Sequence, residues 1–226
     1  MATNSLEKAL RVLDPQSKVL IELLVFGLKK FYKIDAEALF GHGENPMHIN
    51  EQAMVGCVYR YMYGKLNATI LSFPHIDIEY NRMLGMYEDE IEKAIHRCSK
   101  CKVTDHQIEC IAKEDVYLKW LANLKSKKDY KGIRPDIIVH ERNKPNNGLI
   151  IEFKKKDCDV TYDVQKVRYA TCHHSPLHYI IGAVVRLRRS SADVDIYQSG
   201  SFVCKVTVPL KKRHKEHDHD GHRKSF

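Results

Sequence analysis

Two runs rich in β-branched residues lie close together in the chain, Arg134-Pro135-Asp136-Ile137-Ile138-Val139-His140 and Leu149-Ile150-Ile151-Glu152-Phe153-Lys154. Such residues suit a pleated, half-buried surface. The stretch between them, residues 141–148, holds Asn, Lys, Pro and Gly and reads as a loop, so the two runs are expected to fold back as an antiparallel hairpin. In the second run the strand period of two places Glu152 and Lys154 on one face and Ile151 and Phe153 on the other. If the loop turns near Lys144 or Pro145, Asp136 lies across from Glu152 or one residue away, with a small bulge absorbing the difference.

That register would bring two carboxylates beside one amine. Paired anionic oxygens form a hard-ligand site that suits Mg²⁺ with several retained waters and a phosphate as further ligand, with Mn²⁺ as a substitute. Lys154, two residues beyond the second carboxylate, is placed to orient or help deprotonate a water, or to neutralise charge on a phosphoryl oxygen. The residues therefore point to phosphodiester hydrolysis. The other reading is a hairpin with a solvated charged face, since Lys154, Lys155 and Lys156 form a lysine run.

Pro135-Asp136 followed by Glu152-Phe153-Lys154 resembles the PD-(D/E)xK, or restriction-endonuclease-like, nuclease superfamily. The likeness extends to Asn50-Glu51-Gln52, which opens an amphipathic segment through Tyr63, to the strand-like residues 76–82, and to Tyr162-Asp163-Val164-Gln165-Lys166-Val167 after the lysine strand. It covers residues 49–188 and implies an α/β fold with a central mixed β-sheet flanked by helices. It also implies that Asp136 and Glu152 bind metal, that Lys154 is the catalytic lysine, that the Phe153 carbonyl is a further ligand, and that Glu51 is an acidic residue supplied by the first core helix. The periodicity of that helix puts Glu51 on a stripe with Met54, Val55, Val58 and Met62, where a carboxylate needs a partner. Alternatively, Glu51 follows an Asn50 N-cap and complements the helix dipole. Gln165 and Lys166 are weaker candidates. In residues 160–171, Val160, Val164 and Val167 are expected to face the sheet, leaving Gln165, Arg168 and Tyr169 elsewhere. Gln165 then either touches the attacking water or the nucleic-acid backbone, or is solvated.

At 226 residues and 43% apolar content the chain can bury one substantial core, and its formal charge of +8 calls for an anionic partner. Phosphate chemistry in the same chain selects nucleic acid, DNA in the first instance, held by contacts that weaken with salt. Residues 18–34 are rich in Leu and Val, but Glu22, Lys29 and Lys30 interrupt them, so an amphipathic helix rather than a membrane span is expected. The first residues lack the pattern of a secretory signal. Seven cysteines, an odd number, suit a reducing intracellular compartment, cytoplasmic or nuclear.

Residues 1–48 read as an N-terminal helical extension, with helices over 4–13 and 17–32 and an irregular stretch over 35–48. Residues 49–210 read as the nuclease-like core, with a helical insertion near 83–131 carrying helices at 87–97 and 113–127. Residues 179–187 are expected to form a buried central strand, and 194–197 with 202–208 a hairpin turning at Ser199-Gly200. Residues 211–226 read as a basic, His-rich disordered tail. Cys98, Cys101, His106 and Cys110 could bind Zn²⁺, although the spacing is one residue short of a zinc knuckle and lacks its glycine; a metal-free face carrying His106 and Cys110 is the alternative. The expectation is a Mg²⁺-dependent DNA endonuclease, with a non-catalytic nucleic-acid-binding module of the same fold as the alternative. A homodimer cutting both strands is an arrangement left open.

Overall fold

The computed structural model describes residues 2–40, 51–66, 73–78, 135–141, 147–156, 158–173 and 177–209. Four helices come first: α1 (Ala2–Leu10), α2 (Pro15–Ile34), α3 (Ala36–Phe40) and α4 (Glu51–Leu66). They are followed by β1 (His75–Ile78), β2 (Ile137–His140), β3 (Asn147–Lys155), α5 (Thr161–Ala170), β4 (Tyr179–Leu187), β5 (Ser191–Gln198) and β6 (Ser201–Pro209). Among the described residues six strands make one mixed sheet in the order β1-β2-β3-β4-β5-β6, in which only β3 and β4 run parallel. A parallel pair needs a crossover, and α5 supplies it.

Local chemistry places most of these boundaries. Pro15 does not merely end the preceding helix but opens α2 in its first turn, where a missing N–H costs nothing. Asp14 caps α2 by accepting from the Gln16 and Ser17 amides, each at 3.0 Å. Within residues 35–48, Ala36–Phe40 forms a short helix where an irregular stretch was expected. The Asp35 carbonyl accepts from the Leu39 amide at 3.0 Å, so the single turn closes despite its length. The β5–β6 hairpin turns at Ser199 and Gly200 as expected. Both have positive φ, 51° and 74°, the pattern of a two-residue turn whose twist matches its strands.

The sheet separates two apolar layers. One face carries Ile137, Val139, Leu149, Ile151, Phe153, Ile181, Ala183, Val185, Val194 and Ile196, all packed with α1, α2 and α4 in a single core. From α2 come Leu20, Ile21, Leu24, Leu28 and Phe31, none of them exposed. The opposite face is smaller, with Ile138, Ile150, Val184 and Tyr197 under Val167 and Ala170 of α5. Tyr179–Leu187 lies between β3 and β5, the buried central strand anticipated from its composition. Of the expected strand over 76–82, His75–Ile78 is seen, and the remainder lies outside the described residues, as do the helices at 87–97 and 113–127, the Cys98/Cys101/His106/Cys110 group and the tail. Among the described residues no helix is long and apolar enough to cross a membrane.

Candidate active site

The hairpin expected from the two β-type runs is β2–β3, and Ile137 pairs with Ile151. One further antiparallel step sets Asp136 opposite Glu152, the first of the two registers expected from the sequence. The expected bulge falls between Val139 and His140, whose partners Leu149 and Asn147 leave Gly148 as the extra residue. Asp136 sits just before β2, and its Oδ2 accepts from the Phe153 amide at 2.6 Å, which pins the carboxylate against the strand that carries Glu152 and Lys154. Phe153 thus connects to the site through its N–H. Its ring is fully buried on the opposite face, where the strand period puts it.

Glu51 reaches this cluster from the first turn of α4. Its Oε1 accepts from Lys154 Nζ at 3.3 Å and its Oε2 accepts from the Lys155 amide at 3.3 Å, across roughly a hundred residues of sequence. Glu51 opens the helix and finds the partner that a half-buried carboxylate needs, while Asn50, its expected N-cap, lies outside the described residues.

Two further groups come from α5. The sheet-facing residues of this helix are Asp163, Lys166, Val167 and Ala170, at i, i+3, i+4 and i+7, whereas Val160 and Val164 pack half-buried beside them. The valine-based expectation is therefore rotated. The first turns of α5 lie over the carboxylate end of β3, and charged rather than apolar side chains complement that end. Lys166 Nζ stands 2.7 Å from Glu152 Oε1 and 3.3 Å from Asp163 Oδ1, while Asp163 Oδ2 is 3.7 Å from Lys154 Nζ. Asp163 bridges the two lysines. The Tyr162 ring centroid is 5.2 Å from the Lys166 ammonium. Gln165 is half-buried on the same helix and contributes none of these contacts. In the sequence Lys166 is a weaker candidate and Asp163 has no assigned role; the i, i+3, i+4, i+7 spacing of Asp163, Lys166, Val167 and Ala170 puts the two on one stripe.

Burial dominates the electrostatics. It pushes the Glu152 carboxyl up to about 8, against the pull of Lys166 and with help from the charges of Asp136 and Asp163. Burial also raises Asp136, opposed by the Phe153 amide and by Lys154 and Lys166. For Lys154, burial acts downward, but Asp163, Glu51 and Asp136 outweigh it and hold the ammonium above its ordinary range. The Lys166–Glu152 contact is an ion pair without the alignment of a hydrogen bond, so the buried Oε1 still lacks a directed donor. Four carboxylates, Glu51, Asp136, Glu152 and Asp163, face two ammonium groups, Lys154 and Lys166, which leaves two negative charges in excess when all are ionised.

That excess, on hard carboxylate oxygens, fits a divalent cation in charge and donor type. Among the described residues no three His, Cys, Asp or Glu side chains are grouped so as to hold a metal ion. Asp136 and Glu152 would therefore supply two ligands and water the rest, as Mg²⁺ commonly accepts. Glu51 is spoken for by Lys154 and the Lys155 amide. Comparison with family models, with curated proteins and with solved structures gives no match to this chain.

Proposed function

We propose that the chain is a divalent-metal-dependent nuclease of restriction-endonuclease-like fold, cutting phosphodiester bonds in DNA. The observation that carries this reading is the juxtaposition of Asp136 and Glu152 on paired strands with Lys154, inside a cluster in which four carboxyl groups face two ammonium groups. The order α4, β1, β2, β3, α5, β4 supports it, because a helix, a three-strand meander and a crossover helix bring Glu51, Asp136, Glu152 and Lys154 together. The net charge of +8 supports a polyanionic substrate.

Asp136 and Glu152 would hold the cation, and a bound divalent ion would supply polarisation of the scissile phosphate and a more acidic water. Lys154, fixed between Glu51 and Asp163, keeps its proton and aims its ammonium at the reacting oxygens. It orients the attacking water and offsets charge developing on the phosphoryl group. Lys166 and Asp163 hold Glu152 and Lys154 in place from above.

The test is cleavage of duplex, branched and single-stranded DNA and of RNA with Mg²⁺ or Mn²⁺. Asp136→Ala and Lys154→Ala are each expected to lower the rate about 100-fold or more. If wild type leaves every form uncut and Lys154→Ala behaves identically, the nuclease reading is lost. One observation favours the runner-up, a non-catalytic nucleic-acid-binding module: Lys166 already faces Glu152 at 2.7 Å and supplies it with a cation. Salt-sensitive DNA binding that is indifferent to metal and to Asp136→Ala would mark that module.

A further inference from the structure

Beside the carboxylate cluster, the same face of the sheet carries a second set of charges that hydrolysis does not use. Lys154 is in register with Arg186 on β4, and Arg186 with Asp193 on β5. Asp193 pairs with Thr207 on β6, and Asp195 with Lys205. Because side chains at paired positions share a face, a continuous strip runs from the lysine of the site to the edge of the sheet.

Its vertical order is consistent. Asp193 and Asp195 lie beneath, with side chains 7% and 10% exposed, whereas Arg186, Arg188 and Lys205 lie above them at 20%, 40% and 44%. Arg186 is paired with Asp195 and Arg188 with Asp193. Lys205 Nζ spans both carboxylates, 3.5 Å from Asp193 and 3.8 Å from Asp195. Thr207 Oγ1 donates to Asp193 Oδ1 at 3.0 Å, so that carboxylate is held from a further side. Three cations over two carboxylates leave one positive charge, and the groups that reach solvent are the cations. A guanidinium that pairs with one carboxylate retains other N–H donors in a fixed fork, the geometry that matches a phosphate. A rigid sheet and buried anchors also reduce the side-chain entropy lost on binding.

We infer that Arg186, Arg188 and Lys205, seated on Asp193 and Asp195, form a phosphodiester-backbone subsite that holds the nucleic acid to one side of the bond being cut. The inference rests on the nuclease reading and names how that site grips a polymer. Strands in a sheet lie about 4.8 Å apart, so Lys205 on β6 stands on the order of 14 Å from Lys154 on β3. That reach is a few nucleotides, and a chain lying across β4 to β6 would meet the strip with its backbone.

The experiment is fluorescence anisotropy of the full chain with labelled single-stranded and duplex DNA in EDTA, over a series of KCl concentrations, for wild type, Arg188→Ala and Lys205→Ala. Circular dichroism checks that each is folded, and Lys205, exposed on an edge strand, is the variant least exposed to folding failure. Each substitution is expected to weaken binding several-fold and to reduce the slope of log affinity against log salt by about one, the signature of a lost phosphate contact. A purely structural ion-pair ladder would lower the melting temperature and leave that slope unchanged. Wild-type slopes and affinities in both folded variants overturn the subsite while a cleaving wild type keeps the nuclease reading. A wild type that binds neither DNA form overturns the subsite, and the nuclease reading is then decided by the cleavage assay alone.

Discussion

Glu152 combines near-complete burial with a lysine at 2.7 Å, and its carboxyl nevertheless titrates at about 8. The unfolded chain releases that proton near 4.5, so between about 4.5 and about 8 the folded state holds more protons than the unfolded one. Stability contributed by this residue is therefore present at low pH and is lost as pH rises through that window. Glu152→Gln has no proton to lose and is expected to show a smaller decline in stability between pH 5 and pH 8, read as urea midpoints across the pH series. An equal decline in the variant would place the titrating group elsewhere. The conflict at Glu152 has a functional sense, since a carboxylate that is costly to ionise in isolation gains most from a cation. Asp136, Glu152 and Lys154 were legible as residues because the strand period and loop length place them together. Lys166 was legible only as a weaker candidate and Asp163 had no role, because their shared stripe on an amphipathic helix does not tell whether it faces water or a buried carboxylate.

At the scale of elements, the seat of α5 on the sheet decides where Asp163 and Lys166 fall. A Cβ built on Gly182 of β4 would stand 2.4 Å from Val167 Cγ1 and 3.0 Å from Thr171 Cγ2, so helix and strand touch through the missing side chain. Gly182→Ala is expected to push α5 outward, with a loss of about 1–3 kcal/mol measured by denaturant unfolding. Because α5 carries the lysine that faces Glu152, the nuclease reading expects cleavage to fall by more than the loss of folded protein accounts for. The helices α2 and α4 meet by a similar device, a Cβ at Gly27 lying 2.6 Å from Met62 Cγ. Strand and turn signals were readable because they are local: Ser199-Gly200 sits where the chain must adopt positive φ, and residues 179–187 are apolar apart from Arg186. The rotation of α5 was not readable from its valines, since their spacing fixes a stripe but not which part of the sheet the stripe must cover.

Over the whole molecule, the first 34 residues are built into the main core. Leu20, Ile21, Leu24, Leu28 and Phe31 are fully buried among residues from α4 and the sheet, and burying each such side chain stabilises by roughly 1.5–3 kcal/mol. Removal of residues 1–34 would strip one side of the sheet and is expected to abolish cooperative thermal unfolding in calorimetry. A truncated chain that still melts cooperatively near the full-length temperature would show that these helices are dispensable. The net charge of +8 also belongs to this scale, as it sets long-range attraction to a polyanion without specifying where contact is made.

What could be read directly from the residues was local or additive. Alternation made the strands, proline, glycine and asparagine marked the turns, and a loop of given length set Asp136 opposite Glu152. What emerged only on packing was the company those groups keep. Glu51 reaches Lys154 and the Lys155 amide from about a hundred residues away, and Lys166 descends on Glu152 from a helix whose orientation depends on a glycine in a different strand. Ion pairs act through distances of a few ångströms, and distances between separate elements are set by how their surfaces interlock, which spacing along the chain does not encode.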